Sequence, residues 1–195
     1  MRDAPLEGLP DEELMLAYAA GDAAAFARLY DRHARAVYRF LLRSLRHPQL
    51  ADDLLQETWM AVIRNAAGYA PRARFATWLY GIARTKLIDH WRRADPAASL
   101  DEPVADDPGA SLVDHIAADA AFQPEVQALS RAQARAFVDA VEALPPVQRE
   151  AFLLHAEGGL TLDEIANLTQ VGAETVKSRL RYAMSKLRAA MEDWR

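Results

Sequence analysis

The chain has 195 residues, of which 51% are hydrophobic and 26% charged, enough for one ordinary domain or two small ones. It contains no cysteine, which excludes disulfides, thiolate zinc sites and cysteine nucleophiles. No segment approaches the roughly 18 apolar residues of a membrane helix. The first residues lack the cationic and apolar blocks of a signal peptide. We therefore expect a cytoplasmic protein that does not insert into a membrane.

The net charge of −5 conceals a strong segregation of charge along the chain. Residues 1–21 carry a net −4, residues 22–94 a net +7, residues 95–140 a net −7 and residues 141–195 a net −1. Residues 175–190 hold five basic side chains and no acidic one. Such segregation favours a polyanionic partner for the basic segments. The acidic pI of about 5.5 argues against a protein that coats nucleic acid indiscriminately.

Three long helices are predicted in the first half of the chain. An apolar stripe at helical spacing, which includes Tyr30, runs from the candidate N-cap Asp22 to a stop at Pro48. Pro48 suits the first turn of a second helix, over residues 48–66. A third helix begins near Arg74 and is apolar on two sides, as expected of the central helix in a bundle.

The second half begins with residues 95–123, whose prolines and acidic side chains predict a flexible acidic linker with at most a short helical turn at 112–116. This segment is longer than an ordinary helix connection, so it is expected to separate two domains. Further helices are predicted at about 124–143, 146–157, 161–169 and 173–191. No strand-like alternation occurs, and the predicted fold class is all-α.

The strongest local motif lies at residues 158–180. Thr161 can cap a short helix, and Glu164 completes a capping box. A brief turn then leads to a longer helix, in which Val176, Leu180, Ala183 and Leu187 are expected to face inward and Glu174, Lys177, Ser178, Arg181 and Tyr182 outward. This is the helix-turn-helix layout, in which the second helix meets base edges in the major groove. The alternative is an ordinary pair of antiparallel helices with a basic exposed face.

Two further surfaces are candidates for partner binding. On helix 48–66, a polar face opposes the apolar stripe, and it is either a solvated face or a partner site. Between Arg72 and Arg93, basic side chains alternate with aromatic ones, a pattern that suits single-stranded DNA. Aromatic residues at helical spacing are more often core residues, so the cations of this stretch are the firmer candidates.

An enzyme is not expected from this sequence. The five histidines are scattered, with no H-E-x-x-H motif, and neither a Gly-rich phosphate loop nor a nucleophile elbow occurs. The carboxylate cluster at 101–107 lies in the predicted linker, where nothing would fix its geometry. We therefore expect no catalytic residues, no metal site and no cofactor.

Five segments together resemble the extracytoplasmic-function (ECF) sigma factors of bacterial RNA polymerase. They are Asp-Asp-Leu-Leu-Gln-Glu-Thr-Trp (52–59), Phe-Ala-Thr-Trp-Leu-Tyr-Gly-Ile-Ala-Arg (75–84), Ile-Asp-His-Trp-Arg-Arg (88–93), Leu-Pro-Pro-Val-Gln-Arg-Glu-Ala-Phe (144–152) and Glu-Thr-Val-Lys-Ser-Arg-Leu (174–180). The resemblance runs from about residue 11 to 190. It implies a sigma region 2 helical bundle at 1–94 and a sigma region 4 helix-turn-helix domain at 124–195, joined by the linker at 95–123.

The resemblance also implies which residues act. The first domain would bind the β′ clamp helices of core polymerase through Asp52, Asp53, Gln56 and Glu57. It would capture the melted −10 element through Tyr80, Arg84, Thr85, Lys86, Asp89, His90, Arg92 and Arg93. The second domain would dock on the β-flap and read the −35 element through Glu174, Thr175, Lys177, Ser178, Arg179, Arg181 and Tyr182. The acidic linker would mimic the phosphates of the transcript in the RNA-exit path.

The implied function is that of a non-enzymatic promoter-specificity subunit, for which an anti-sigma factor is the family's usual control. A free-standing helix-turn-helix regulator is the main alternative, but it leaves the polar face and the basic-aromatic stretch unexplained. A purely protein-binding helical adaptor is the other. Thr85, Gln170, Glu174 and Tyr182 depart from residues frequent in the family, so the promoter sequences of other members cannot be transferred to this chain.

Overall fold

The structure is a computed structural model that describes residues 8–94 and 131–194. The chain divides into two compact units, Met1–Pro96 and Ala97–Arg195. Both described segments are helical without any β-strand, which confirms the predicted all-α class. None of their helices is long and apolar enough to cross a membrane. The predicted linker at 95–123 and the predicted helical residues 124–130 lie outside the described residues.

The first unit contains four α-helices: α1 (Asp11–Ala19), α2 (Ala23–Leu45), α3 (Pro48–Asn65) and α4 (Phe75–Ala94), with a 3-10 turn (Ala66–Gly68) after α3. Helices α2 to α4 follow the predicted spans. The Asp22 carboxylate accepts the backbone N–H of Ala24 at 2.9 Å, which confirms it as the N-cap of α2. Pro48 occupies the first turn of α3, as predicted.

Helix α4 packs against α1, α2 and α3, as expected of a helix that is apolar on two sides, and α2 likewise packs against the other three helices. Its buried side chains include Phe75, Leu79 and Ala83, four residues apart along one side of the helix. Tyr80 is also buried, and its ring lies 5.3 Å from that of Phe40 on α2. The surfaces of α3 and α4 that face away from this shared core are therefore held at fixed positions relative to each other.

Helix α1 was not predicted, because its apolar residues form no stripe: Leu14 and Met15 are fully buried while Leu16 is 43% exposed. Polar contacts to distant residues hold it in addition to these two buried side chains. Asp11 accepts a hydrogen bond from Arg32 Nη1 at 2.7 Å and lies 2.6 Å from His33 Nε2. Glu12 Oε1 accepts the backbone N–H of Phe75 at 2.6 Å and so caps the start of α4.

Because of the Asp11 contacts, the stability of the first unit depends on pH in the acid range. The hydrogen bond with His33, aided by Arg32, holds the pKa of Asp11 below its usual value of 3.8, although burial opposes this shift. A lowered carboxyl pKa stabilises the folded state above about pH 4, and that stabilisation is lost as the pH falls through the lower pKa of the folded state.

We expect Asp11→Asn to lower the free energy of unfolding at pH 7 by about 1–2 kcal/mol, the usual size of a lost charge-assisted hydrogen bond. The difference from the parent chain should shrink as the pH falls below about 4. Urea unfolding followed by tryptophan fluorescence measures both, since Trp59, Trp78 and Trp91 all lie in the first unit. Equal stability at pH 7, or a difference independent of pH, would contradict the assignment.

Tyr69 provides a second pH-dependent contribution, at the alkaline end. Its buried hydroxyl has no hydrogen-bond partner within the described segments. Burial, and then the negative charges of Glu12 and Asp11, raise the pKa of Tyr69 to about 12. The neutral phenol is therefore favoured in the folded state, and this preference is lost between the ordinary pKa of 10 and the raised value.

The Tyr69→Phe variant should match the parent chain in stability at pH 7, because the hydroxyl that it removes has no partner there. Between pH 10 and pH 12 the parent should lose stability more steeply than the variant. Paired urea titrations at pH 7 and at about pH 11 make the comparison, and the two chains share every other alkaline titration. Parallel stability curves above pH 10 would show that Tyr69 ionises normally.

The second unit contains α5 (Arg131–Ala143), α6 (Pro146–Ala156), α7 (Leu162–Thr169) and α8 (Ala173–Ala190), followed by a 3-10 turn (Glu192–Trp194). The predicted capping box of α7 is confirmed: Thr161 N–H donates to Glu164 Oε2 at 2.8 Å and Glu164 N–H to Thr161 Oγ1 at 3.3 Å. Gln170 ends α7 in the left-handed region, with φ 59°.

Helix α8 packs against α5, α6 and α7. The four residues predicted to face inward are all buried: Val176, Leu180, Ala183 and Leu187. The short α7, the tight turn and the longer α8 form the predicted helix-turn-helix arrangement. The opposite face of α8 is left at the surface of this unit.

Candidate functional site

The acidic face of α3 consists of Asp52, Asp53, Gln56 and Glu57. The first three side chains are exposed, and Glu57 is half-buried. Neither Asp52 nor Asp53 takes part in an ion pair with any described residue. Both carboxylates are thus available to a cationic partner, and the buried opposite side of α3 holds them on a rigid support.

The acidic face continues into exposed apolar side chains, of which Met60 is predicted on the polar face of this helix by its spacing. Met60 is 50% exposed and Ile63 is 38% exposed, one and two turns further along α3. Tyr30, predicted in the buried stripe of α2, is 40% exposed, and its ring lies 5.0 Å from that of Trp59. Helical spacing did not separate Tyr30 from the core, because this residue lies at the edge of the apolar stripe of α2.

The basic end of α4 consists of the predicted residues that lie beyond its core-packing half: Arg84, Thr85, Lys86, Asp89, His90, Arg92 and Arg93. Thr85, Asp89, Arg92 and Arg93 are exposed and share one helical face, while Arg84, Lys86 and His90 are half-buried beside it. Arg93 Nε donates to the carbonyl of Asp89 at 3.1 Å. The face presents cations and hydrogen-bonding groups suited to phosphates and unstacked bases.

Tyr80 does not belong to this surface, which corrects the prediction that it contacts DNA. Its side chain is 1% exposed and packs edge-on against Phe40. Tyr80 lies seven residues before the buried Leu87, on the second apolar side of α4, and that spacing was the signal of its burial.

The structure brings two predicted surfaces together in the first unit. Lys86 Nζ on α4 lies 3.2 Å from Glu57 Oε2 on α3. An open cleft separates α3 from the end of α4, and the residues that line it are Leu50, Asp53, Leu54, Glu57, His90, Arg93 and Ala94. The basic end of α4 therefore adjoins the acidic face of α3, a relation that local sequence cannot show.

In the second unit, all seven predicted residues of α8 lie at the surface. Glu174 and Thr175 are exposed, and the half-buried residues are Lys177, Ser178, Arg179, Arg181 and Tyr182. Lys177 Nζ is 4.0 Å from Glu174 Oε1, whose side chain is 90% exposed. This is a loose ion pair that a stronger anion could replace.

No metal centre is formed by the part of the chain that the structure describes. Within it, no group of three or more His, Asp or Glu side chains could hold a metal ion.

Two family models match the chain, one in each compact unit. Sigma-70 region 2 matches residues 29–96, and Sigma-70 region 4 matches residues 134–187. Each match covers the surfaces described above for its unit.

Curated relatives match nearly the whole length. The ECF RNA polymerase sigma factor SigK of Mycolicibacterium vanbaalenii is 32% identical over 192 residues, covering 96% of this chain and 92% of SigK. SigW of Bacillus subtilis is 30% identical, covering 89% of this chain and 92% of SigW. The RNA polymerase sigma factor CarQ of Myxococcus xanthus is 33% identical, with 84% and 87% covered.

Solved structures share the fold. CnrH in complex with the cytosolic domain of CnrY has a TM-score of 0.61 at 23% identity, covering 94% of this chain and 97% of CnrH. The sigma factor RpoE of Bartonella quintana, in complex with the anti-sigma factor NepR, has a TM-score of 0.59 at 20% identity, covering 86% and 96%.

Proposed function

The chain belongs to the ECF sigma factors of bacterial RNA polymerase, and we propose from this premise which of its surfaces bind polymerase and which bind promoter DNA. As a sigma factor of this type, it directs core polymerase to specific promoters and initiates transcription. The proposed domains are a region 2 domain at residues 1–94, a linker at 95–123 and a region 4 domain at 124–195. The cytoplasm is the proposed location, since the polymerase works there.

The acidic face of α3 is the proposed contact with the β′ clamp helices of core polymerase. The supporting observation is that Asp52 and Asp53 are exposed and unpaired on a helix whose other side is fixed in a core. Carboxylates held in this way can form charge-assisted hydrogen bonds with a basic partner at little cost in ordering. Glu57 has first to leave Lys86, so its contribution is smaller.

The basic end of α4 is the proposed site for the melted −10 element. Arg92 and Arg93 would hold phosphates of the displaced strand, and Thr85 and Asp89 lie on the same face for contacts to bases. Strand opening on this account comes from trapping unstacked bases. It requires no bond to be broken by this chain, so we propose that the chain is not an enzyme.

Helix α8 is the proposed reader of the −35 element, with the second unit docked on the β-flap. Its exposed face presents Thr175, Lys177 and Ser178 in the first two turns, the part of a recognition helix that reaches base edges. Regulation by an anti-sigma factor is proposed because RpoE was solved bound to its anti-sigma factor NepR.

One observation carries the proposal against a free-standing DNA-binding regulator. The first unit sets an acidic surface with free carboxylates beside a basic surface, and a protein that binds only duplex DNA has no use for the former. Gel filtration with sigma-free core polymerase separates the two functions. We expect co-elution at equal stoichiometry, whereas a regulator would elute alone and still bind duplex promoter fragments by itself.

A further inference from the structure

Arg181 and Tyr182 are neighbours in sequence whose side chains nevertheless contact each other. Adjacent positions of a helix point about 100° apart and do not ordinarily meet. Here the guanidinium carbon of Arg181 lies 4.9 Å from the Tyr182 ring centroid, and Nη2 donates to the Tyr182 hydroxyl at 3.2 Å. Arg181 Nε is buried. The guanidinium is therefore held in one orientation by its neighbour.

Arg181 occupies the face of α8 that is opposite the core. That face also carries Glu174 and Ser178, seven and three residues earlier, while Val176 and Leu180 lie on the buried side. Tyr182 lies at the flank of the same face. The contact thus fixes the guanidinium at the surface that would meet the floor of the major groove.

A guanidinium has five N–H donors. Nε of Arg181 is buried and Nη2 gives one N–H to Tyr182, which leaves both N–H groups of Nη1 and the second N–H of Nη2 for other hydrogen bonds. The partner that best matches two parallel N–H donors at a base edge is guanine, through O6 and N7. A side chain already held in its binding conformation loses less rotamer freedom when it docks. Tyr182 can therefore strengthen the readout by Arg181 without touching the base.

We propose that Tyr182 is a positioning residue for Arg181, and that the pair selects guanine at one position of the −35 element. The inference rests on the proposed function of α8 and goes beyond it by naming the base and the residue that orients its reader. Substitution of Tyr182 should then change sequence preference rather than general affinity for DNA.

The experiment uses holoenzyme assembled from the full chain and core polymerase, with promoter DNA randomised over the −35 element. Arg181→Ala should lose a guanine preference of about 10-fold at one position, in the range of one bidentate contact. Tyr182→Leu should lose most of the same preference at the same position. Tyr182→Phe, which keeps the ring but not the hydroxyl, should lose about half of it on a logarithmic scale. The double variant with Ala and Leu should match Arg181→Ala alone, because the two side chains act as a unit.

Lys186→Ala is the matched control, since it removes an exposed cation from the same helix. It should weaken binding to all −35 sequences equally and make binding less dependent on salt. Thermal unfolding of each variant excludes loss of the fold as the cause. The inference would be wrong, while the proposed function of α8 would stand, if the losses of guanine preference in the double variant were additive or if Tyr182→Leu kept the guanine preference. If the parent holoenzyme showed no −35 preference at all, both this inference and the proposed function of α8 would be wrong.

Discussion

Replacing Asp52 and Asp53 together by asparagine should lower the affinity of the chain for sigma-free core polymerase by about 10- to 100-fold, or roughly 1.4–2.8 kcal/mol. Both carboxylates are exposed, and neither has an ionic partner in the segments that the structure describes, so the substitution disturbs no such contact within the chain. In a complex they would be paired with cations and shielded from water, where losing one partner is costly. Titration of labelled core with each variant, followed by fluorescence anisotropy, measures the difference.

Asp31→Asn provides the matched control for that experiment. Asp31 is another exposed acid of the first unit, on α2, and its neutralisation should leave affinity for core unchanged. The loss in the double variant should also diminish at high salt, because the parent interaction is itself screened there. If the double variant bound core as tightly as the control at low salt, the acidic face of α3 would be a solvated surface and nothing more.

Neutralising Arg92 and Arg93 together, as Arg92→Gln and Arg93→Gln, should reduce open-promoter formation by about 10-fold or more. Both side chains are exposed at the end of α4, in position to hold phosphates of the single strand. Removing two such contacts should also make the logarithm of the open-complex constant less steep against the logarithm of salt concentration, by about 0.7 for each phosphate. Permanganate reactivity of unpaired thymines at several salt concentrations measures both quantities.

The control for this pair is Arg35→Gln with Arg46→Gln, which removes the same charge from exposed positions of the same unit. These substitutions should leave promoter opening and its salt dependence nearly unchanged. Tryptophan fluorescence checks that the last turns of α4 remain folded in the variant, since cations near the C-terminus also stabilise a helix through its dipole. If both double variants opened promoters as well as the parent chain, the cations of α4 would be solvated side chains without a role in melting.

The helices that the sequence predicted are those with local signals. Asp22, Pro48, and Thr161 with Glu164 are capping features that act within a few residues, and the apolar stripes of α2, α3 and α8 repeat at helical spacing. Helix α1 has neither signal. It is held by the burial of Leu14 and Met15 and by polar contacts of Asp11 and Glu12 with α2 and α4, across 22 and 63 residues, which no local pattern contains.

For the candidate surfaces, too, local features could be predicted from the sequence and features that depend on packing between helices could not. Which residues lie on one face of α3 or α8 could be predicted, because helical geometry alone decides it. How far each side chain is covered could not, because that depends on packing between helices. Tyr30 belongs to the apolar stripe of α2 and is nevertheless 40% exposed, and Lys86 lies beside Glu57 only after α3 and α4 have packed. The contact between Arg181 and Tyr182 depends on side-chain conformation, which the spacing of residues in the sequence does not determine.

In vitro transcription shows whether the two helical units of this chain together give core polymerase its promoter specificity. Sigma-free core would be incubated with fragments of the source genome, with and without the purified chain and with no anti-sigma factor present, and transcript 5′ ends would be sequenced. We expect a small set of start sites that depend on the chain, preceded by two shared motifs at constant spacing. Transcripts that are identical with and without the chain would show that it gives core polymerase no promoter specificity.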